Sequence, residues 1–373
     1  MATNTPETAS ESKASRERQS RRARANKRAL TLQEIADLAG TTKSTVSRVL
    51  SDSPRISKKT KERVAALVQE HGFTPNYMAR ALARCRTGVM GVLTSNISSG
   101  FFAEVIRGID LAAGERRRHL LVSVAHGDED YFRLFDHLRS NGQVDGIVLL
   151  DPPLQLFDRA LPKEHLPLVL CASQAPAAAR TWGQVDSVTV DNSSTMTRIV
   201  RHLAEQGLTQ LVHLAGYPNN FDAEHRRSAF EEATRALNLG HCRVLTGHLI
   251  KEDGRDAMRK TFSDPSRWPD AFVAFNDSVA LGALAEIRRA ASAAKKPVAV
   301  TGWDNSPAAE VLDLTSAEMP LTGLGETSGS LLQERIEHAT EANRQGRQVV
   351  LDMKLHIRAS SRPSKSDREG KGA

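Results

Sequence analysis

From Gly88 onward, for about 270 residues, short apolar runs alternate with amphipathic helical stretches, and that alternation confines the chain to few folds. The runs lie at 89–93, 120–124, 146–150, 168–171, 188–190, 211–215, 271–275 and 298–301. Helical periodicity fills the gaps, at 102–113, 195–206, 223–237, 279–290 and 324–342. Strands that alternate with helices form parallel sheets covered on both faces. This length is too great for one doubly wound sheet and comfortable for two. A last strand is expected near 349–357, before a polar tail at 359–373.

The first quarter of the 373-residue chain has a different character. Residues 1–86 carry 18 Lys/Arg against 8 Asp/Glu, and the remainder 33 against 36, so the whole +7 excess lies at the N-terminal end. Such asymmetry is the electrostatic footprint of a polyanion-binding module on a near-neutral body. Residues 1–28 show no apolar period and read as a disordered basic tail. Three short helical patterns follow within 29–75. The first begins after Thr31 as N-cap and buries Leu32, Ile35, Ala36, Leu38 and Ala39. The second spans about 42–50 and buries Val46, Val49 and Leu50. The third runs from Ser57 to a Gly72 stop, with Val64, Leu67, Val68 and His71 on one stripe.

Residues 31–50, TLQEIADLAGTTKSTVSRVL, have the layout of a helix-turn-helix. Ala36 is small where two helices would cross, Gly40 suits a tight turn, Thr42 caps the second helix and Val46 plugs the gap. The free face of the second helix presents Thr42, Lys43, Ser44, Thr45, Ser47 and Arg48, side chains suited to base edges and phosphates in a major groove.

That segment, followed by ISKKTKERV and HGFTPNYMARALARCRTGVMGVL, resembles the headpiece and hinge of the lactose/galactose repressor family. The likeness continues through FFAEVIRGI, VDGIVLL, VTVDN, FNDSVALGALAEI, VTGWDNSP and LTSAEMP, covering about 30–358. It implies a small all-α headpiece and a core similar to periplasmic sugar-binding proteins, with two doubly wound α/β subdomains around a ligand cleft. The expected N-subdomain is about 88–187 and 317–346, and the C-subdomain about 188–316 and 347–358. Residues 76–87 would form a hinge and linker. In the resembled family the hinge folds on DNA, which assigns DNA contacts to Asn76 and Arg80 and a minor-groove wedge to Leu82. A segment of about eight residues is too short to be a stable helix alone, and Leu82 packing on the core is the alternative.

The resemblance also places an effector site at strand carboxyl ends: Phe101 as a stacking face, Arg226 as a fork for ligand oxygens, Asn276, and Asp304 as acceptor for adjacent hydroxyls. Asp128 and Arg227 are weaker candidates. Asp191 and Asp277 read as helix caps before they read as ligand groups. Three departures from the family put the effector's identity in doubt: Ala172–Ser173 where Asp-Arg is usual, Ser99–Gly100 for Asn-Pro, and Leu249 for an aromatic residue. The helix after Val124 is also expected to be shortened. Together these imply a regulator of a carbohydrate-related operon, a homodimer on near-palindromic operator DNA, with a sugar or sugar derivative as effector. Repression is the family's usual sign and activation the alternative.

No P-loop, GxGxxG, GxSxG or HExxH motif occurs, so neither enzyme chemistry nor a cofactor or metal is expected. His202, His213 and His356 read as packing or surface residues. Cys85, Cys171 and Cys242 lack metal-ligand spacing and read as reduced thiols. The polar N-terminus lacks a secretory h-region, giving a cytoplasmic, nucleoid-associated expectation. The tail after Arg358 lacks a leucine heptad, so no tetramer is expected by that route.

Overall fold

A computed structural model describes residues 30–50, 53–73, 86–162, 166–247, 250–290, 296–338 and 345–362. The basic tail, Leu249, Cys85 and the hinge with Asn76, Arg80 and Leu82 lie outside them. The chain divides into two compact units, at 1–85 and 86–373.

The N-terminal unit holds α1 (Leu32–Leu38), α2 (Lys43–Leu50) and α3 (Lys58–Glu70). Thr31 and Glu34 form a reciprocal capping box at α1, with Thr31 Oγ1 accepting from the Glu34 N–H at 3.3 Å. Gly40 takes φ +55° in the turn before α2, and Thr42 Oγ1 accepts from the Thr45 N–H at 3.2 Å. Ile35, Ala36, Ala39, Val46, Val64 and Phe73 form the core. Two expected core residues are outside it. Leu38 is exposed, because at 100° per residue it stands roughly 100° from the mean of Ile35, Ala36 and Ala39. His71 is also exposed, since α3 ends at Glu70 and the chain turns at Gly72 to bury Phe73 in its place.

The second unit contains two six-stranded sheets. In the first the order is β11-β5-β4-β3-β1-β2, from β1 (Val89–Thr94), β2 (His119–Val124), β3 (Gly146–Leu150), β4 (Leu168–Cys171), β5 (Asp186–Val190) and β11 (Gln348–Leu351), all parallel. In the second it is β12-β10-β9-β8-β6-β7, from β6 (Leu211–Leu214), β7 (Arg243–Leu245), β8 (Ala271–Ala274), β9 (Ala299–Trp303), β10 (Thr315–Glu318) and β12 (Lys354–His356). Only β12 is antiparallel to its neighbour. Strands β3, β4, β8 and β9 are buried throughout, as parallel strands covered on both faces must be.

The crossings between sheets differ from the expected subdomain limits. Residues 188–190 end β5 and belong to the first sheet, while 317 and 318 end β10 and belong to the second. The single strand expected at 349–357 is two, β11 and β12, in different sheets and joined by a crossing at Asp352 and Met353. The core also runs past Arg358: Ser361 is buried and shares hydrogen bonds with His202 (2.8 Å) and Thr315 (2.6 Å). The helix after β2, α5 (Asp128–Ser140), is 13 residues long.

In the first subdomain α4 (Gly100–Glu115) crosses α11 (Leu321–Glu337) closely enough that a Cβ on Gly325 would be driven into the Val105 carbonyl oxygen. Gly325→Ala is therefore expected to cost about 2–3 kcal/mol. A calorimetric scan should show the core transition lowered; an unchanged transition would mean the crossing can open freely.

Candidate DNA-binding face and effector cleft

On α2, Lys43, Ser44, Ser47 and Arg48 are exposed and Val46 points into the core. Thr42 is also exposed, but its hydroxyl caps the helix and lies 2.9 Å from those of Ser44 and Thr45. Lys43 and Arg48 thus provide the charged reach of the face, while Thr42 and Thr45 are partly engaged in shaping it. No acidic residue stands in the first turn of α2, so nothing there opposes the attraction of its N-terminus for phosphate.

The residues expected at the effector lie on or near segments that follow strands of the two sheets. Arg226 lies in α7 (Phe221–Ala236), 2% exposed. Its guanidinium sits between the rings of Phe275 (4.6 Å) and Trp303 (4.2 Å). Nε donates to Asn192 Oδ1 at 2.9 Å, Nη1 to the Phe275 carbonyl at 2.8 Å, and Nη2 to Asp222 Oδ2 at 3.3 Å and Met319 Sδ at 3.5 Å. Asn192 also donates to Asp222 at 2.8 Å. Most of the fork expected to hold a ligand is therefore engaged within the protein. Asp222, four residues earlier on the same helix, is legible from spacing; Asn192, Phe275 and Met319 are not, because they come from three distant stretches of chain.

Asp304 directly follows β9, in a left-handed conformation at φ +102°. Its N–H bonds the Ala317 carbonyl at 2.8 Å, and its carboxyl hydrogen-bonds to no described residue. Loss of hydration raises that carboxyl to about 8 despite the pull of Arg226, with Asp277 and Asp222 adding to the rise. Asp151, after β3, is raised to about 7 by the same loss of hydration and by Asp222, although Asn220 donates to it at 2.8 Å. Because folding raises both values, the protonated forms stabilise the fold. That contribution is complete below the ordinary carboxylate range and is lost as pH rises through about 7 and about 8. The core is expected to melt progressively lower from pH 5 to pH 8.5. Asp304→Asn should flatten part of that slope; an equally steep slope would remove Asp304 as a contributor.

Two readings change at α9 (Asp277–Arg289). Asn276, expected at the ligand, is the N-cap, accepting from the Val279 N–H at 2.9 Å. Asp277, expected as the cap, instead accepts from Ser316 Oγ and the Ser306 N–H, both at 2.6 Å, bracing the segment after β9. Asp191 does cap α6 (Asn192–Glu205). Phe101 is half-buried in the first turn of α4, edge-on to Phe102 at 5.0 Å. Asp128 is exposed, and Arg227 pairs with Glu224 and Glu231. The departure Ala172–Ser173 follows β4, Ala172 at φ +54° and Ser173 fully buried with no partner for its hydroxyl. A pocket of about 220 Å³ opens beside it, lined by Leu154, Gln174 to Ala177, Phe221, Glu224 and His225. Among the described residues no group of His, Cys, Asp and Glu is arranged to hold a metal, and no helix is long and apolar enough to cross a membrane.

Residues 31–76 match the family model of bacterial regulatory proteins of the lacI family, and 200–361 match a periplasmic binding protein-like domain. The chain thus joins a lacI-type DNA-binding domain to a periplasmic binding protein-like domain. Proteins of similar sequence include the transcriptional regulator CelR of Thermobifida fusca, 29% identical over 88% of this chain and 98% of that one. The repressor CytR of Escherichia coli K12 is 26% identical over 91% and 99%. Among solved structures, a CelR–cellobiose complex superposes with a TM-score of 0.63 at 28% identity, covering 89% of this chain and 99% of that one. A Lac repressor dimer bound to operator and the anti-inducer ONPF shares the fold, with a TM-score of 0.77 at 21% identity over 90% and 100%. With that pair of domains and these relatives, the chain is a DNA-binding transcriptional regulator under effector control, not an enzyme.

Proposed function

We propose that this chain is a cytoplasmic homodimeric repressor of a carbohydrate-related operon, released from or recruited to its operator by a hydroxyl-rich effector held between the two core subdomains. The observation that carries the effector reading is the Asp304 carboxyl, unbonded among described residues at the end of β9. Two adjacent hydroxyls are the natural complement of such a group. The CelR neighbour, solved with cellobiose, supports a sugar as the effector class. The twofold operator, with headpieces in successive major-groove half-sites, follows from dimer symmetry. Residues 76–83, with Asn76, Arg80 and Leu82, are assigned the minor-groove contact between half-sites.

The test is operator binding by the full chain with and without sugars that raise its melting temperature. A sugar that stabilises the protein and changes operator affinity is the expected result; stabilising ligands that never alter it would contradict the reading. For the DNA face, Arg48→Ala is expected to cost about 1–3 kcal/mol on operator and much less on unrelated DNA. Binding titrations on both DNAs check this, and equal losses would place Arg48 on the phosphate backbone only.

A further inference from the structure

The effector reading leaves open which class of hydroxyl-rich molecule fits, and the charge around Arg226 bears on that directly. Arg226 is the cation that Asp222, Asp304 and Asp151 all face. Its Nε, Nη1 and Nη2 already donate to Asn192, the Phe275 carbonyl, Asp222 and Met319, and its two faces are covered by Phe275 and Trp303. A phosphate or carboxylate on a ligand is gripped most firmly by the planar edge of a guanidinium, and on Arg226 those donors are taken by Asn192, Asp222, Met319 and the Phe275 carbonyl. What remains open is different in character. The Asp304 carboxyl has no hydrogen-bond partner among the described residues. The Trp303 indole, fully buried against Arg226, has an Nε1–H with no acceptor, and Ser173 Oγ, fully buried after β4, also has no partner.

We propose that the cleft selects a polyol without negative charge, neutral or amine-bearing, and rejects its phosphorylated or carboxylated counterpart, because the donors of Arg226 are engaged by Asn192, Asp222 and the Phe275 carbonyl while the half-buried carboxyls of Asp304 and Asp151 stand near it. This inference rests on the effector reading above. The raised proton affinities of Asp304 and Asp151 agree with it: a cleft that disfavours its own carboxylates disfavours a ligand's anion for the same reason, loss of hydration beside like charge. A ligand ammonium would face the opposite field. Glu224, half-buried on α7 and paired with Arg227, lines the neighbouring pocket beside His225.

The test is isothermal titration of the full-length protein with four parent sugars, glucose, galactose, ribose and cellobiose, together with glucosamine and the phosphate and carboxylate derivatives of each parent. Any parent that binds is expected to lose roughly tenfold or more in affinity when a phosphate or carboxylate is added. Asp222→Asn, confirmed as folded by its melting curve, is expected to narrow that ratio by freeing one edge of Arg226 and removing one charge. Asp151→Asn serves the same purpose if the first variant does not fold. An anionic derivative that binds the natural protein as tightly as its parent overturns the charge selectivity alone. If no compound binds, the effector reading falls with it.

Discussion

Arg226→Ala is expected to lower the unfolding transition of the core by roughly 10 °C. The substitution leaves Asp222, 6% exposed, without its cation, strips the Phe275 carbonyl of its donor, and opens a void between two aromatic rings. Removing one partner of a buried ion pair costs about 3–5 kcal/mol, most of it the stranded charge. For a domain of this size each kcal/mol moves the transition by about 2–4 °C. Arg226→Met keeps much of the volume between Phe275 and Trp303 and should lose less. Thermal denaturation followed by circular dichroism reads both variants. An Arg226→Ala protein that melts with the natural one would mean the guanidinium is held for ligand rather than for the fold.

The second large effect belongs to the DNA-binding unit. Val46 is fully buried, and with Ile35, Ala36, Ala39, Val64 and Phe73 it makes up the whole buried core of three short helices. A unit this small has little stability to lose. A carboxylate placed at Val46 would have to be buried unpaired, at a cost of several kcal/mol. Val46→Asp is therefore expected to lower operator affinity by about 100-fold or more while the core transition stays where it was. Gel-shift titration and calorimetry on the same preparation separate the two. Full operator affinity in this variant would contradict the three-helix packing. Arg48→Ala is the surface counterpart, changing recognition with the helices intact.

The parts of this architecture that were legible from the residues are those set by periodicity. Fully buried strands such as GIVLL at β3 and LVLC at β4 announce themselves as apolar runs. The packed turn of the DNA-binding unit is spelled out by Thr31, Gly40, Thr42 and Val46 within one short segment. What periodicity misses is short or long-range. β7 is three residues long and β10, TSAE, has a single apolar side chain, so neither forms a run. β11 and β12 read as one strand because only Asp352 and Met353 separate them, with no Gly or Pro to mark the crossing. At Asn276–Asp277 two good caps stand side by side, and the helix takes the first because β8 ends at Ala274. The engagement of Arg226 depends, beyond its i,i+4 partner Asp222, on residues 192, 275 and 319, which only the folded chain brings together.

The central claim is that the polar face of α2 reads a base sequence. Selection from random duplex DNA by the purified full-length protein at physiological salt tests it most directly, because non-specific phosphate attraction is weakened there and base contacts decide what is retained. Rapid enrichment of one near-palindromic sequence, its half-sites about one helical turn apart, is the expected result. Retained fragments that share no sequence after repeated rounds would contradict it.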